Sequence, residues 1–401
     1  MKDYNLLKSG RLSHPFTLAV LITTLTATTS FAAITKGGNG NWFYNNQTNQ
    51  YPFVTGATFQ PGTNPWKSVI TSGNGFNNYG TIRMMDFNST CNSGQVTWST
   101  RRSPTSTNQE ATYINQGQNL VGRGIAIEWQ IDLAKRVNKY IWVNIPHKAD
   151  DNYITQMATL LRDNVPTDKL IYVEYSNEIW NGGLNSDGVT YWGYDPGRYC
   201  AQKGVAENIG GTGKLPDERR LLWGGKRTAK VFQIFNTVFS GQTSRLRKVL
   251  GSQTGNTWIS GRVWEGYSTY GGGGGAHALA IAPYFGYNVN GADSDWEAQC
   301  RADITNSIAP KCNAQKTFCT GKSISLYAYE AGQHMITNAT GPNRSNAMES
   351  LYTDYANELG TYFSGPFCSY SHCSYYNANN CWGLQEVNGT ATAKWRGFLT
   401  W

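Results

Sequence analysis

From Thr81 onward the chain alternates between short apolar, β-rich runs and amphipathic stretches with helical spacing. The apolar runs fall at 81–87, 140–145, 170–175, 247–251, 278–284 and 324–329, with a fainter one at 381–386. Helical patterns lie between them, near 127–139, 150–163, 217–240, 294–308 and 344–363. Strands that alternate with helices pair in parallel, because each return crosses over through a helix. One more strand, blurred within 45–70, would make eight, the number that closes a barrel. An open doubly wound sheet would carry a Gly-x-Gly-x-x-Gly turn after its first strand, and none stands in that context. The expectation is an α/β chain forming one (β/α)8 barrel over residues 33–401, with no linker and no second module.

The first 32 residues are set aside from that fold. Lys2, Lys8 and Arg11 form a basic start, and 15–33 is uncharged and largely apolar. Ser30-Phe31-Ala32 puts small residues where a signal peptidase reads them, so cleavage after Ala32 and export to the extracellular space or periplasm are expected. The segment is too short and too rich in Thr for a membrane anchor, and no later run is long enough to span a bilayer. Export makes disulfides the expected state of the eight cysteines, Cys91, Cys200, Cys300, Cys312, Cys319, Cys368, Cys373 and Cys381. Their spacing leaves the connectivity open. No Cys-x2-Cys pair suggests zinc.

Composition removes other classes. Aromatic residues make up 13% of the chain and charged residues 15%, the reverse of a disordered chain. The net charge of +8 is spread along the sequence. Its nearest approach to a cluster, Arg219, Arg220, Lys226, Arg227 and Lys230, fits a solvated helix face better than a nucleic-acid site. Gly271–Gly275 lacks the Lys-Ser/Thr of a phosphate loop and reads as a flexible surface loop. There is no Gly-x-Ser-x-Gly elbow for a serine nucleophile.

In a barrel of this kind the chemistry sits at the C-terminal strand ends. Residues 170–181 read Leu-Ile-Tyr-Val-Glu-Tyr-Ser-Asn-Glu-Ile-Trp-Asn, and 323–334 read Ser-Ile-Ser-Leu-Tyr-Ala-Tyr-Glu-Ala-Gly-Gln-His. Glu178 and Glu330 each follow a β-rich run among aromatics and amides. Such surroundings can desolvate one carboxyl and keep another ionised. Cleavage of a glycosidic bond needs that split: an acid for the leaving oxygen and a carboxylate to attack the sugar.

Ser176-Asn177-Glu178 after the fourth strand and Tyr329-Glu330-Ala331-Gly332 after the seventh resemble the large clan of retaining (β/α)8 glycoside hydrolases. The resemblance is at motif level and runs from about Thr81 to Trp401. It implies that Glu178 is the acid/base and Glu330 the nucleophile. It further implies that Asn177 binds the sugar 2-hydroxyl, that Tyr284 touches the nucleophile and that Trp382, near the eighth strand end, floors the reacting sugar. Arg83 resembles the early-strand Arg that holds the nucleophile carboxylate. His147 and His334 are candidate sugar contacts, and Trp180, Trp192, Trp264 and Trp296 candidate stacking platforms. A metal site from His147, Asp150 and Asp151 lacks completing ligands, and a loop His with a helix-starting Asp pair explains them better.

The sequence therefore points to an exported hydrolase of O-glycosidic bonds acting with retention. Its partner is a polysaccharide or oligosaccharide. No cofactor, metal, nucleic acid or membrane insertion is expected, and the chain is expected to be a monomer. A non-catalytic carbohydrate-binding protein on the same barrel is the alternative.

Overall fold

The computed structural model describes residues 34–39, 53–54, 56–71, 73–85, 87–107, 109, 124–185, 187, 190–379, 381–386 and 390–401. The leader expected over 1–32 lies outside them. Eight parallel strands close a barrel: β1 Thr35–Asn39, β2 Thr81–Arg83, β3 Tyr140–Ile145, β4 Ile171–Tyr175, β5 Leu246–Gly251, β6 Ala278–Ile281, β7 Ser325–Ala331 and β8 Pro366–Ser369. Each strand pairs with its sequence neighbour, and β8 closes on β1 through Thr35↔Pro366 to Gly38↔Ser369.

The helices form where the spacing predicts them. Helix α1 (Ile127–Arg136) turns Ile127, Ile131 and Ala134 inward, and α2 (Asp151–Asn164) buries Tyr153, Ile154, Met157 and Leu161. Asp150 caps α2, its carboxylate accepting the Tyr153 N–H at 2.6 Å, while Asp151 pairs with Arg227. Both are thereby spent on structure, and no cluster of metal-ligating side chains occurs among the described residues. The long helix α3 (Pro216–Val238) carries the basic cluster; Lys226 pairs with Glu207, and Arg227 and Lys230 with Asp151.

Two strands lie elsewhere than expected. The described part of 45–70 forms an isolated bridge, Phe53↔Trp66, and part of a short helix, while the first strand is Thr-Lys-Gly-Gly-Asn. A Cβ on Gly37 would stand 2.4 Å from Cys368 Sγ, and one on Gly38 2.0 Å from the Tyr79 ring. Close packing of neighbours across β1 thus demands glycine and erases the apolar signature. The eighth strand is 366–369, and the run at 381–386 supplies only a two-residue pairing, Gln385–Glu386 with Cys373–Ser374.

Inside the barrel, alternate residues stack into a packed plug of Trp142, Tyr172, Val249, Ala278, Ala280, Tyr327, Tyr329 and Cys368. The larger core lies between strands and helices. The loop at 271–275 is anchored rather than flexible. Gln233 Nε2 donates to the Gly271 and Gly273 carbonyls at 2.9 and 2.8 Å, and Asn236 Nδ2 to Gly274 at 3.1 Å.

No disulfide is present among the described residues, against expectation. Cys312 and Cys319 share helix α4 (Ala309–Thr320), where seven residues separate Cα atoms by about 10 Å, beyond disulfide reach. Cys200, Cys300, Cys312, Cys319, Cys368 and Cys381 are buried as small apolar groups. Burial pushes the Cys200, Cys300 and Cys319 thiols up to about 12, which keeps them protonated. No helix among the described residues is long and apolar enough to cross a membrane.

Candidate active site

Strand alternation aims Arg83 (β2), Trp142 and Asn144 (β3) and Glu174 (β4) into the barrel, with Arg83 paired to Trp142 and Asn144 to Glu174 across the ladder. Arg83 is fully buried and is the hub. Its Nε and Nη2 donate to the two Glu174 oxygens at 2.8 and 2.9 Å, Nη1 donates to Glu330 Oε1 at 3.0 Å, and Nη2 also donates to Asn177 Oδ1 at 2.8 Å. Glu174 Oε2 further accepts N–H groups from Trp142 at 2.8 Å and Asn144 at 2.9 Å. One guanidinium thus ties the end of β4 to the end of β7.

Local backbone geometry delivers the two glutamates. Ser176 and Glu178 have φ of 62° and 44°, left-handed conformations uncommon for non-glycine residues. They fold the chain sharply past β4, with the Asn144 amide bonded to the Ser176 carbonyl at 2.8 Å. In β7, Ala328 pairs with Phe367 and Ala331 with Ser369, so β7 holds one residue more than β8 across the interval. This bulge lets Tyr329 stay inside the barrel while Glu330 turns to the cleft.

Glu178 and Glu330 open onto one cleft of about 650 Å³, whose walls include Asn177, Trp180, Tyr284, His334, Tyr370 and Trp382. Their surroundings differ. Glu178 accepts the Asn181 amide N–H at 3.0 Å and has the Tyr329 hydroxyl at 3.3 Å. Burial, reinforced by the charge of Glu330, pushes it up to about 8. Burial raises Glu330 as well, but Arg83 and the Tyr284 hydroxyl, 2.7 Å from Oε2, act against it. Burial and the same negative charges keep the Tyr284 phenol protonated and a donor. Glu178 is therefore the stronger proton holder of the pair.

The structure brings Glu178, Glu330, Arg83, Asn177, Tyr284, His334 and Trp382 together. The His334 ring lies 4.9 Å from Tyr284 and 5.7 Å from Trp382. Trp382 sits on the loop beyond β8; the residue directly after that strand is Tyr370, whose ring is 5.9 Å from Trp382. His147 is not on the cleft wall. It is buried at the end of β3, with Nε2 2.9 Å from Asp195, and burial lowers its pKa. Of the four candidate platforms Trp180 lines the cleft, Trp192 is an exposed hairpin residue, and Trp264 and Trp296 pack against the core. Glu174, Asn144, Tyr329, Asn181 and Tyr370 escaped sequence reasoning. Glu174 had a signal: it is an acid in an inward position of an apolar strand, where only a buried partner can hold it.

The sequence matches no protein-family model and no curated protein. Solved structures do match. A GH51 arabinofuranosidase from Xanthomonas axonopodis pv. citri has a TM-score of 0.52 at 13% identity, over 92% of this chain and 72% of that one. A GH5-4 broad-specificity endoglucanase from Clostridium acetobutylicum has a TM-score of 0.49 at 12% identity, over 92% and 96% of the two chains. The first of these carries the comparison, and at such identity it concerns fold alone. This chain has the eight-stranded parallel barrel fold found in that glycoside hydrolase.

Proposed function

We propose that the protein hydrolyses O-glycosidic bonds of a polysaccharide or oligosaccharide with net retention, Glu178 acting as acid/base and Glu330 as nucleophile. The observation that carries this reading is the pair itself: two carboxyls on one cleft, the buried Glu330 beside a cation and a phenol, the half-buried Glu178 with no cation bonded to it among the described residues. In the first step the Glu330 carboxylate attacks the anomeric carbon while Glu178 gives its proton to the departing oxygen. In the second, the Glu178 carboxylate takes a proton from water, which displaces Glu330 from the sugar. Asn177, oriented by Arg83, is suited to the 2-hydroxyl, and Trp382 with Tyr370 offers ring faces to the sugar. The apolar leader makes export part of the proposal.

An activated aryl glycoside with added azide tests the roles. Glu178→Ala should keep much of its first-step rate, since the leaving group needs little protonation, and azide should restore turnover to give a retained glycosyl azide. Glu330→Ala should be nearly inactive, with any azide product inverted. Exchanged behaviour would reverse the assignment. Equal inactivity of wild type and Glu178→Gln across a polysaccharide panel would favour a carbohydrate-binding protein instead.

A further inference from the structure

Tyr329 has one phenolic proton, and the Ser252 carbonyl and Glu178 are both acceptors within its reach. Its Oη is 3.1 Å from the Ser252 carbonyl oxygen and 3.3 Å from Glu178 Oε1, and it accepts the Trp180 indole N–H at 3.3 Å. The ring is fully buried inside the barrel, with the Arg83 guanidinium 4.8 Å from its centroid. The ring is thus fixed, and rotation of the hydroxyl about its C–O bond is the freedom that remains. Burial and the charges of Glu178 and Glu330 hold the phenol far above its ordinary pKa, so it keeps its proton throughout the working range. A carboxylate accepts a hydrogen bond far better than a neutral carboxyl. The choice between the two acceptors therefore follows the charge on Glu178.

We propose that Tyr329 is a positioning residue for Glu178, its hydroxyl bonding Ser252 while Glu178 is neutral and turning to Glu178 Oε1 once that proton has left. The proposal rests on the acid/base reading of Glu178. On that reading the hydroxyl stabilises the carboxylate formed as the leaving group departs and holds it ready as the base of the second step. The other groups facing Glu178 do not supply this. Glu330, from β7, opposes its ionisation. Arg83, from β2, favours it from a distance but directs its bonds to Glu174, Glu330 and Asn177. Tyr284, on the loop after β6, donates to Glu330. Asn181, on the same loop, donates to the other oxygen, Oε2.

Tyr329→Phe keeps the ring and deletes the donor. Wild type, Tyr329→Phe and Glu178→Gln, each labelled with carboxyl-¹³C glutamate, are titrated by NMR; the resonance missing from Glu178→Gln identifies Glu178. The expected result is a rise of about half to one unit in the Glu178 titration in Tyr329→Phe. The alkaline limb of kcat/KM should rise with it, and the second step at neutral pH should slow several-fold. A merely structural role would lower activity without moving either titration. Trp180→Phe, measured in parallel, withdraws the N–H that polarises the hydroxyl and should shift Glu178 the same way by less, which keeps the test decisive if Tyr329→Phe does not fold. A Glu178 titration that stays in place or falls overturns the proposal. Because the NMR reading needs no turnover, it stands apart from any failure to find glycosidase activity.

Discussion

Arg83 spreads one positive charge over Glu174 and Glu330 and also bonds the Asn177 amide, so the residue best placed to keep Glu330 ionised is shared. Sharing serves two purposes. It leaves Glu330 only partly neutralised, as its proposed role of nucleophile requires, and it locks the guanidinium in place through Glu174. Glu178 has no cation bonded to it among the described residues, and the consequence reaches stability. Its carboxyl is raised to about 8 in the folded chain, so between the unfolded value of 4.5 and about 8 the folded state binds more protons than the unfolded state. By linkage, stability falls as pH rises through that window. Glu178→Gln cannot ionise and should escape the loss. Its thermal midpoint should exceed that of wild type by a few degrees at pH 8, with the gap closing near pH 4.5, as differential scanning calorimetry at both pH values would show. A gap independent of pH would mean that Glu178 is not the proton holder.

At the scale of elements, β1 shows how packing can hide a strand. Gly37 and Gly38 are there because Cys368 and Tyr79 occupy the space of their side chains. Gly38→Ala should cost about 1–3 kcal/mol through overpacking at the barrel seam. Shrinking the obstacle in Tyr79→Ser should recover part of that cost, so a double-mutant cycle by urea unfolding should give a coupling well above experimental error. Additive effects would show that the ring is not what excludes a side chain. The bulge in β7 follows similar logic: strict alternation would send Glu330 outward, away from Tyr329, and one extra residue lets both serve the site. Neither device has a pattern in a single sequence.

For the molecule as a whole, the buried, unbridged thiols predict that stability does not depend on oxidation. A saturating reductant should leave the thermal midpoint unchanged, and a drop of several degrees on reduction would reveal bridges. The sequence by itself determined the parts ruled by local periodicity. The runs at 140–145 and 170–175 became β3 and β4 because strands buried on both faces must be apolar throughout. The helices near 127, 151 and 217 formed because their apolar residues recur at helical spacing. Glu178 and Glu330 were legible because acids and amides interrupt β-rich runs just where a barrel strand ends. Tertiary structure alone decided the remainder. That Arg83 holds Glu174, that His147 turns to Asp195 instead of the cleft, that Tyr370 rather than Trp382 follows β8, and that Tyr329 touches Glu178 are relations across 48 to 151 residues of chain for the measured pairs among them. Barrel closure sets which strand ends become neighbours, and no local spacing encodes a contact that exists only once the sheet has closed.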